Sequence, residues 1–279
     1  MAAFQTEALI LRAVDFGESD RILHLLVPDA GRLPAIAKGA RRSLRRFPGT
    51  LDLFNQLRVQ VQRGRSSGMA RLEQASLIRS FAPLRSDSAR FALGCYLLEL
   101  LDRLAPEGGA RGDTRKIFRF ALGALETVSD HPVDARVRTL LELRALEALG
   151  LCPELRRCVR CGEDVGARAG EVRFRVADGG PVCAGCAQPA EGFLPVQLGT
   201  LRSLEQGLHF ELDQLHRLVL SPRILAEARG LVARFQRFHV GVELRSERFL
   251  DEVLGTTGVC ATRGESRQKP IYSAASRFR

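Results

Sequence analysis

Two cysteine pairs, Cys158-Val-Arg-Cys161 and Cys183-Ala-Gly-Cys186, stand 21 residues apart and constrain this chain more than any other feature. A CxxC turn aims two thiols at one point, and two such turns brought together complete a tetrahedron. The spacing is that of a four-cysteine structural zinc site, with Cys158, Cys161, Cys183 and Cys186 as the expected Zn2+ ligands. Gly162 and Gly185 suit the tight turns. Four cysteines close the coordination shell, whereas a catalytic zinc keeps one position open. Arg156, Arg157 and Arg160 beside the first pair can offset the negative charge of four thiolates. A redox role for the pairs is the alternative. His209-Phe-Glu211 has the HxE form used by zinc deaminases, but it follows both pairs, and Pro181 is one position too far from Cys183. Of the other three cysteines, Cys95 reads as core and Cys152 as a packed thiol or a substitute ligand. Cys260 needs no role.

Charge is the second constraint. The formal net charge is +10, and residues 32–71 hold ten basic side chains against one acid, Asp52. The ten are Arg32, Lys38, Arg41, Arg42, Arg45, Arg46, Arg58, Arg63, Arg65 and Arg71. A general preference for arginine explains arginine over lysine but not the missing acids. Such a concentration points to a surface for a polyanion. Within it, Ala37-Lys38-Gly39-Ala40-Arg41-Arg42-Ser43-Leu44-Arg45-Arg46-Phe47 reads as a loop leaving a strand. Guanidinium forks there can lie along phosphates. No base-reading helix is nearby, so sequence preference should be weak. Phe47 and Phe54 can stack on unpaired bases or anchor the core, with core favoured.

The chain of 279 residues is long enough for two or three small domains. Residues 1–80 carry five short strand patterns, at about 8–14, 21–27, 33–37, 57–62 and 69–78, with a hairpin turn at 29–32. Five strands of this size suit an OB-fold barrel. Helical periodicity then predicts a helix capped by Ser86 or Asp87, a second capped by Asp113, and a third from Val133 to Leu149, ended by Gly150. It returns at Leu201, Leu204, Leu208, Leu212 and Leu215, and again at Ile224, Ala228, Leu231, Phe235 and Phe238. The expected organisation is an OB-fold DNA-binding domain at 1–80 and a helical domain at 81–150 and 193–254. A zinc module sits at 151–192 and a disordered tail at 255–279. The fold class is multidomain α+β.

There is no GxxxxGK[ST] loop, no nucleophile elbow and no carboxylate cluster, so no catalytic residues are expected. The five histidines lack ligand or triad spacing. No apolar run is long enough to span a bilayer, and the N-terminus lacks a signal-peptide pattern. A cytoplasmic location is expected.

Several segments together resemble the RecO family. Phe16-Gly17-Glu18-Ser19-Asp20 is similar to its YGExD turn, with phenylalanine for the commoner tyrosine. Ala37 to Arg42 resembles its AKGARR segment, followed by Leu51-Asp-Leu-Phe54. The cysteine array with Gly179-Gly180 resembles its zinc module, and Leu244 to Leu250 its closing helix. The arginine-rich tail after Gly255 has no counterpart. The resemblance spans residues 6–254. It implies an N-terminal OB-fold, a helical domain with an inserted zinc module, and binding to single- and double-stranded DNA. It also implies strand annealing, contacts with RecR and with single-stranded DNA-binding protein, and help in loading RecA onto coated strands in the RecF pathway, without enzymatic turnover. The rival readings are an RNA- or ribosome-associated OB/zinc protein, a zinc-dependent enzyme, and a protein-binding adaptor.

Overall fold

The structure, a computed structural model, describes residues 3–43, 45–62, 69–108, 111–167, 171–241 and 243–257. The chain forms two compact units, residues 1–130 with 244 onward, and residues 131–243. The fold is mixed α+β, a β-rich region followed by helices.

In the first unit β1 (Ala3–Phe16), β2 (Asp20–Val27), β3 (Gly31–Ala37), β4 (Asn55–Gln62) and β5 (Ala70–Ser80) close into a barrel in the order β1-β2-β3-β5-β4. The length of β1 closes the ring. Residues Ala3–Leu9 pair with β4, and Leu9–Phe16 pair with β2, with a bulge at Leu11. The apolar run Ala8-Leu9-Ile10-Leu11 is wholly buried, although a strand with one wet face would alternate. Ala8 and Ile10 enter the barrel core with Leu23, Leu25, Leu57 and Val59. On the other side α1 (Ser88–Leu104) packs over β1.

Asp87 caps α1 by accepting from the Arg90 N–H at 2.8 Å, as the sequence predicts. Gly94 in this helix lies against Leu84 and Phe54. An added Cβ would come within 2.8 Å of the Phe54 ring, so the close approach requires glycine. Asp113, expected as a cap, sits inside the first turn of α2 (Arg111–Asp130). That helix is fastened to the β2–β3 hairpin. Thr114 Oγ1 donates to Pro28 O at 2.8 Å, and Arg115 pairs with Asp29 at 2.6 Å. Gly31 ends the hairpin turn with φ +66°, and a Cβ there would collide with Pro106 O. The unit closes with α6 (Arg245–Thr257), whose first N–H groups at Arg245 and Ser246 are accepted by Glu99 of α1. The helix continues past residue 255, where the tail was expected to begin. The rest of that tail, including Cys260, lies outside the described residues.

The second unit holds α3 (Ala135–Ala148), a three-stranded antiparallel sheet, α4 (Leu198–His209) and α5 (Pro222–Val240). The strands are β6 (Glu171–Arg175), β7 (Gly180–Val182) and β8 (Leu194–Gln197), in the order β7-β6-β8. Val172, Phe174 and Val196 share one core with Leu201, Leu204, Leu231 and Phe235. The leucine spacing predicts a helix through Leu215, but α4 stops at His209. Arg144 of α3 donates to the carbonyls of Leu208 at 2.8 Å and Phe210 at 2.5 Å, closing the helix end. Leu215 is still buried, in a short 3-10 turn. Phe238, expected on the buried face of α5, is 60% exposed. Phe235 takes the core position, and the neighbouring His239 ring bonds Val176 O at 2.7 Å. No helix among the described residues is long and apolar enough to cross a membrane.

Candidate metal centre and basic groove

The sulfurs of Cys158, Cys161, Cys183 and Cys186 all lie within 4.8 Å of one another, one thiol from each turn position. The Cys161 and Cys183 sulfurs are 3.6 Å apart. Local backbone chemistry builds each turn. The Gly162 N–H donates to Cys158 O at 2.8 Å with Gly162 at φ +78°, and the Cys186 N–H donates to Cys183 O at 3.0 Å. The Val159 N–H donates to Pro181 O at 3.0 Å, joining the first turn to the β6–β7 hairpin. Gly180 permits that seat, because a Cβ there would collide with the Val159 side chain.

The thiols do not titrate alike. Burial pushes Cys158 up, but N–H groups of Cys183, Cys161 and Arg160 aimed at its sulfur hold it down at about 6. Contacts with the sulfurs of Cys183 and Cys161 push Cys186 up to about 12. Crowded thiols resist shared ionisation, and a bound cation removes that resistance. The arrangement can therefore hold a metal ion in a closed all-sulfur shell. Of the three arginines expected to offset the thiolate charge, Arg156 and Arg160 are paired with carboxylates. Arg160 pairs with Asp178 and Glu191 and donates to Cys186 O at 2.7 Å, so it ties the two turns together. Arg156 pairs with Asp164 at 3.0 Å. Cys152 stands apart from the cluster and packs against the core of the second unit. Cys95 lies on α1, where burial pushes its thiol up to about 12.

The basic residues of the first unit separate into three groups. Arg32 is half-buried: its side chain is 27% exposed, and its guanidinium is held by Asp102 and Glu107. His24 also meets Asp102, at 2.5 Å, so Arg32 belongs to a charge cluster rather than to the outer surface expected for it. Lys38 and Arg46 shape the loop. Lys38 pairs with Asp20 at 2.6 Å, and the Gly39 N–H donates to the same carboxylate at 2.8 Å. The Lys38 hydrogen bond, then that of Gly39, holds Asp20 below the usual carboxylate range. Arg46 donates to Lys38 O at 2.6 Å and lies 5.2 Å from the centre of the Phe47 ring.

The third group faces solvent. Arg41 is 3.9 Å from Asp15 and Arg42 3.7 Å from Glu18, both loose surface pairs. Arg45 and Arg58 are exposed and have no acidic partner among the described residues. Arg58 faces Glu7 across the β1–β4 pair, but the Glu7 carboxylate takes a hydrogen bond from Gln56 at 3.0 Å. Arg71 is paired with Glu73 at 2.8 Å. Arg63 and Arg65 lie outside the described residues. Phe47 and Phe54 are buried, which leaves neither ring open to stack on a base.

Between the basic loop and the outer face of β1, β4 and β5 runs an open groove of about 640 Å3. Arg45, Arg46 and Arg58 line it together with amide and hydroxyl side chains, and among the described residues no carboxylate does. The glutamine floor had no signal in the sequence analysis, although alternation along β4 places Gln56, Arg58, Gln60 and Gln62 on one face.

Comparison with known proteins agrees across most of the chain. Family models for the N-terminal part of recombination protein O match residues 1–81, and for its C-terminal part residues 85–248. A protein of Anaeromyxobacter sp. strain K named DNA repair protein RecO is 38% identical over 245 residues, 88% of this chain and 94% of that one. One of Myxococcus xanthus with the same name is 34% identical over 256 residues, 91% and 99% of the two chains. One of Symbiobacterium thermophilum, also so named, is 32% identical over 252 residues, 90% and 98%.

Proposed function

This chain belongs to the recombination protein O family, and we propose that it is a DNA-binding mediator of recombinational repair that works without catalytic turnover. The carrying observation is the groove lined by Arg45, Arg46 and Arg58 and, among the described residues, by no carboxylate, beside the exposed Arg41 and Arg42. The physical task is to bring two phosphate backbones together against their repulsion. Guanidinium groups free of internal acids can neutralise phosphates on both strands. The barrel serves as the platform. Its strand order and its long, shared β1 support an OB-fold reading.

We read the metal as zinc in a structural role, within a module at 151–192. The sulfurs fit it: a tetrahedral four-thiolate zinc with Zn–S near 2.3 Å places sulfurs roughly 3.8 Å apart, close to the 3.6 Å between Cys161 and Cys183. When bound, zinc supplies a cross-link that fixes both turns. The cysteines hold it, and Arg160 with its two acids keeps the turns in register.

By family likeness the partners are single- and double-stranded DNA, RecR and single-stranded DNA-binding protein, and the outcome is RecA loading in the cytoplasm. The test is annealing of complementary oligonucleotides with and without single-stranded DNA-binding protein. Accelerated pairing of coated strands is the expected result, and no acceleration overturns it. An RNA- or ribosome-associated role is the second reading, since the basic groove would serve it too. Preference for structured RNA over single-stranded DNA in competition would establish that instead.

A further inference from the structure

The groove floor has a chemistry that phosphate binding does not need. Gln5 of β1 is in register with Gln60 of β4, and Gln60 with Gln74 of β5, so three amides form one row across the sheet. All three are exposed and line the groove with Arg45 and Arg46 of the basic loop and with Arg58, which shares a face of β4 with Gln60. The nearest acids are occupied elsewhere, Glu7 by Gln56 and Glu73 by Arg71. Resting on the proposed DNA binding, we infer that this row is a base-contacting floor, and that the groove takes single-stranded nucleic acid with its bases turned inward.

The reasons are steric and chemical. In a duplex the Watson–Crick edges are paired and stacked, so amides on the sheet surface cannot reach them. In a single strand the phosphates can run along the arginines while unpaired bases point at the amides. A primary amide carries both donors and an acceptor. Every Watson–Crick edge also mixes donors and acceptors, so a glutamine can turn to suit any of them. Specificity for single strands follows without preference for sequence. This also accounts for a nucleic-acid groove with no open aromatic ring, since stacking is the usual alternative.

The test uses the full chain and a Gln60→Leu/Gln74→Leu double variant. Both positions are exposed on strands, and leucine leaves the arginines in place. Binding is measured to a mixed-sequence single strand, to the same strand with abasic sites, and to the duplex. Wild type should bind the single strand several-fold more tightly than the abasic one. The variant should lose about five- to tenfold on the single strand, as two neutral hydrogen bonds would give, with the abasic and duplex affinities unchanged. Its salt dependence should match wild type, because phosphate contacts remain. Equal affinity of wild type for normal and abasic strands overturns the inference, as does a variant that keeps the discrimination. If Arg45→Glu/Arg58→Glu leaves all binding intact, the basic groove itself is misassigned. If that variant loses binding while Gln60→Leu/Gln74→Leu does not, only the base-contacting floor fails. Unchanged circular dichroism and thermal midpoint confirm that the variants fold.

Discussion

Neutralising Arg45 and Arg58 tests the electrostatic account most directly. Neither has an acidic partner among the described residues, so Arg45→Gln/Arg58→Gln strands no carboxylate. Each single-strand phosphate contact contributes about 0.7 to the slope of log K against log salt. Five contacts, from Arg41, Arg42, Arg45, Arg46 and Arg58, give a wild-type slope of about −3.5, and losing two gives about −2.1. At 0.1 M monovalent salt the same two contacts are worth roughly 25-fold in affinity. Fluorescence anisotropy with a labelled homopyrimidine strand, titrated between about 25 and 400 mM salt, reads both quantities. Arg32→Gln is the control: it removes one charge, from a guanidinium held by Asp102 and Glu107. It should leave the slope near −3.5 and cost about 1–2 kcal/mol of stability. An unchanged slope in the double variant, or a loss of about 0.7 from the slope in the Arg32 control, refutes the reasoning.

Chelation should destabilise the second unit selectively, because the first cysteine turn is bonded to β7, β7 pairs with β6, and β6 and β8 share a core with α4 and α5. A zinc chelator should lower the thermal midpoint and release one metal equivalent, and readdition should restore the midpoint. Asp102→Asn should destabilise the first unit by about 1–3 kcal/mol at neutral pH. Although burial opposes it, hydrogen bonding to His24 and the charge of Arg32 hold the Asp102 carboxyl below its ordinary 3.8. Its contribution is thus complete above that value and lost as pH falls through the lower folded one. Urea denaturation of the two proteins should converge in strong acid, and a constant gap down to the lowest pH would contradict this account.

Much of the molecule was readable from local chemistry. Cysteine spacing named the four thiols that gather at one point, since a CxxC turn needs only its own backbone to aim two thiols. Alternation and turn residues marked the five strands, and capping residues marked α1 and the end of α3 at Gly150. These signals act over a few positions, so the linear order carries them. Long-range pairing settled the remainder. Arg32 and Arg45 are equivalent in composition and both sit in the acid-poor stretch, yet one is paired with Asp102 and Glu107 and the other has no acidic partner among the described residues. The acids that claim Arg32 lie 70 or more residues away, and no window of local composition contains them. The same holds for the end of α4, drawn by Arg144 from another helix, and for the glutamine row, which exists only once three strands are in register. Which charges stay uncompensated depends on which side chains the folded backbone brings together, and that is a property of contacts rather than of order along the chain.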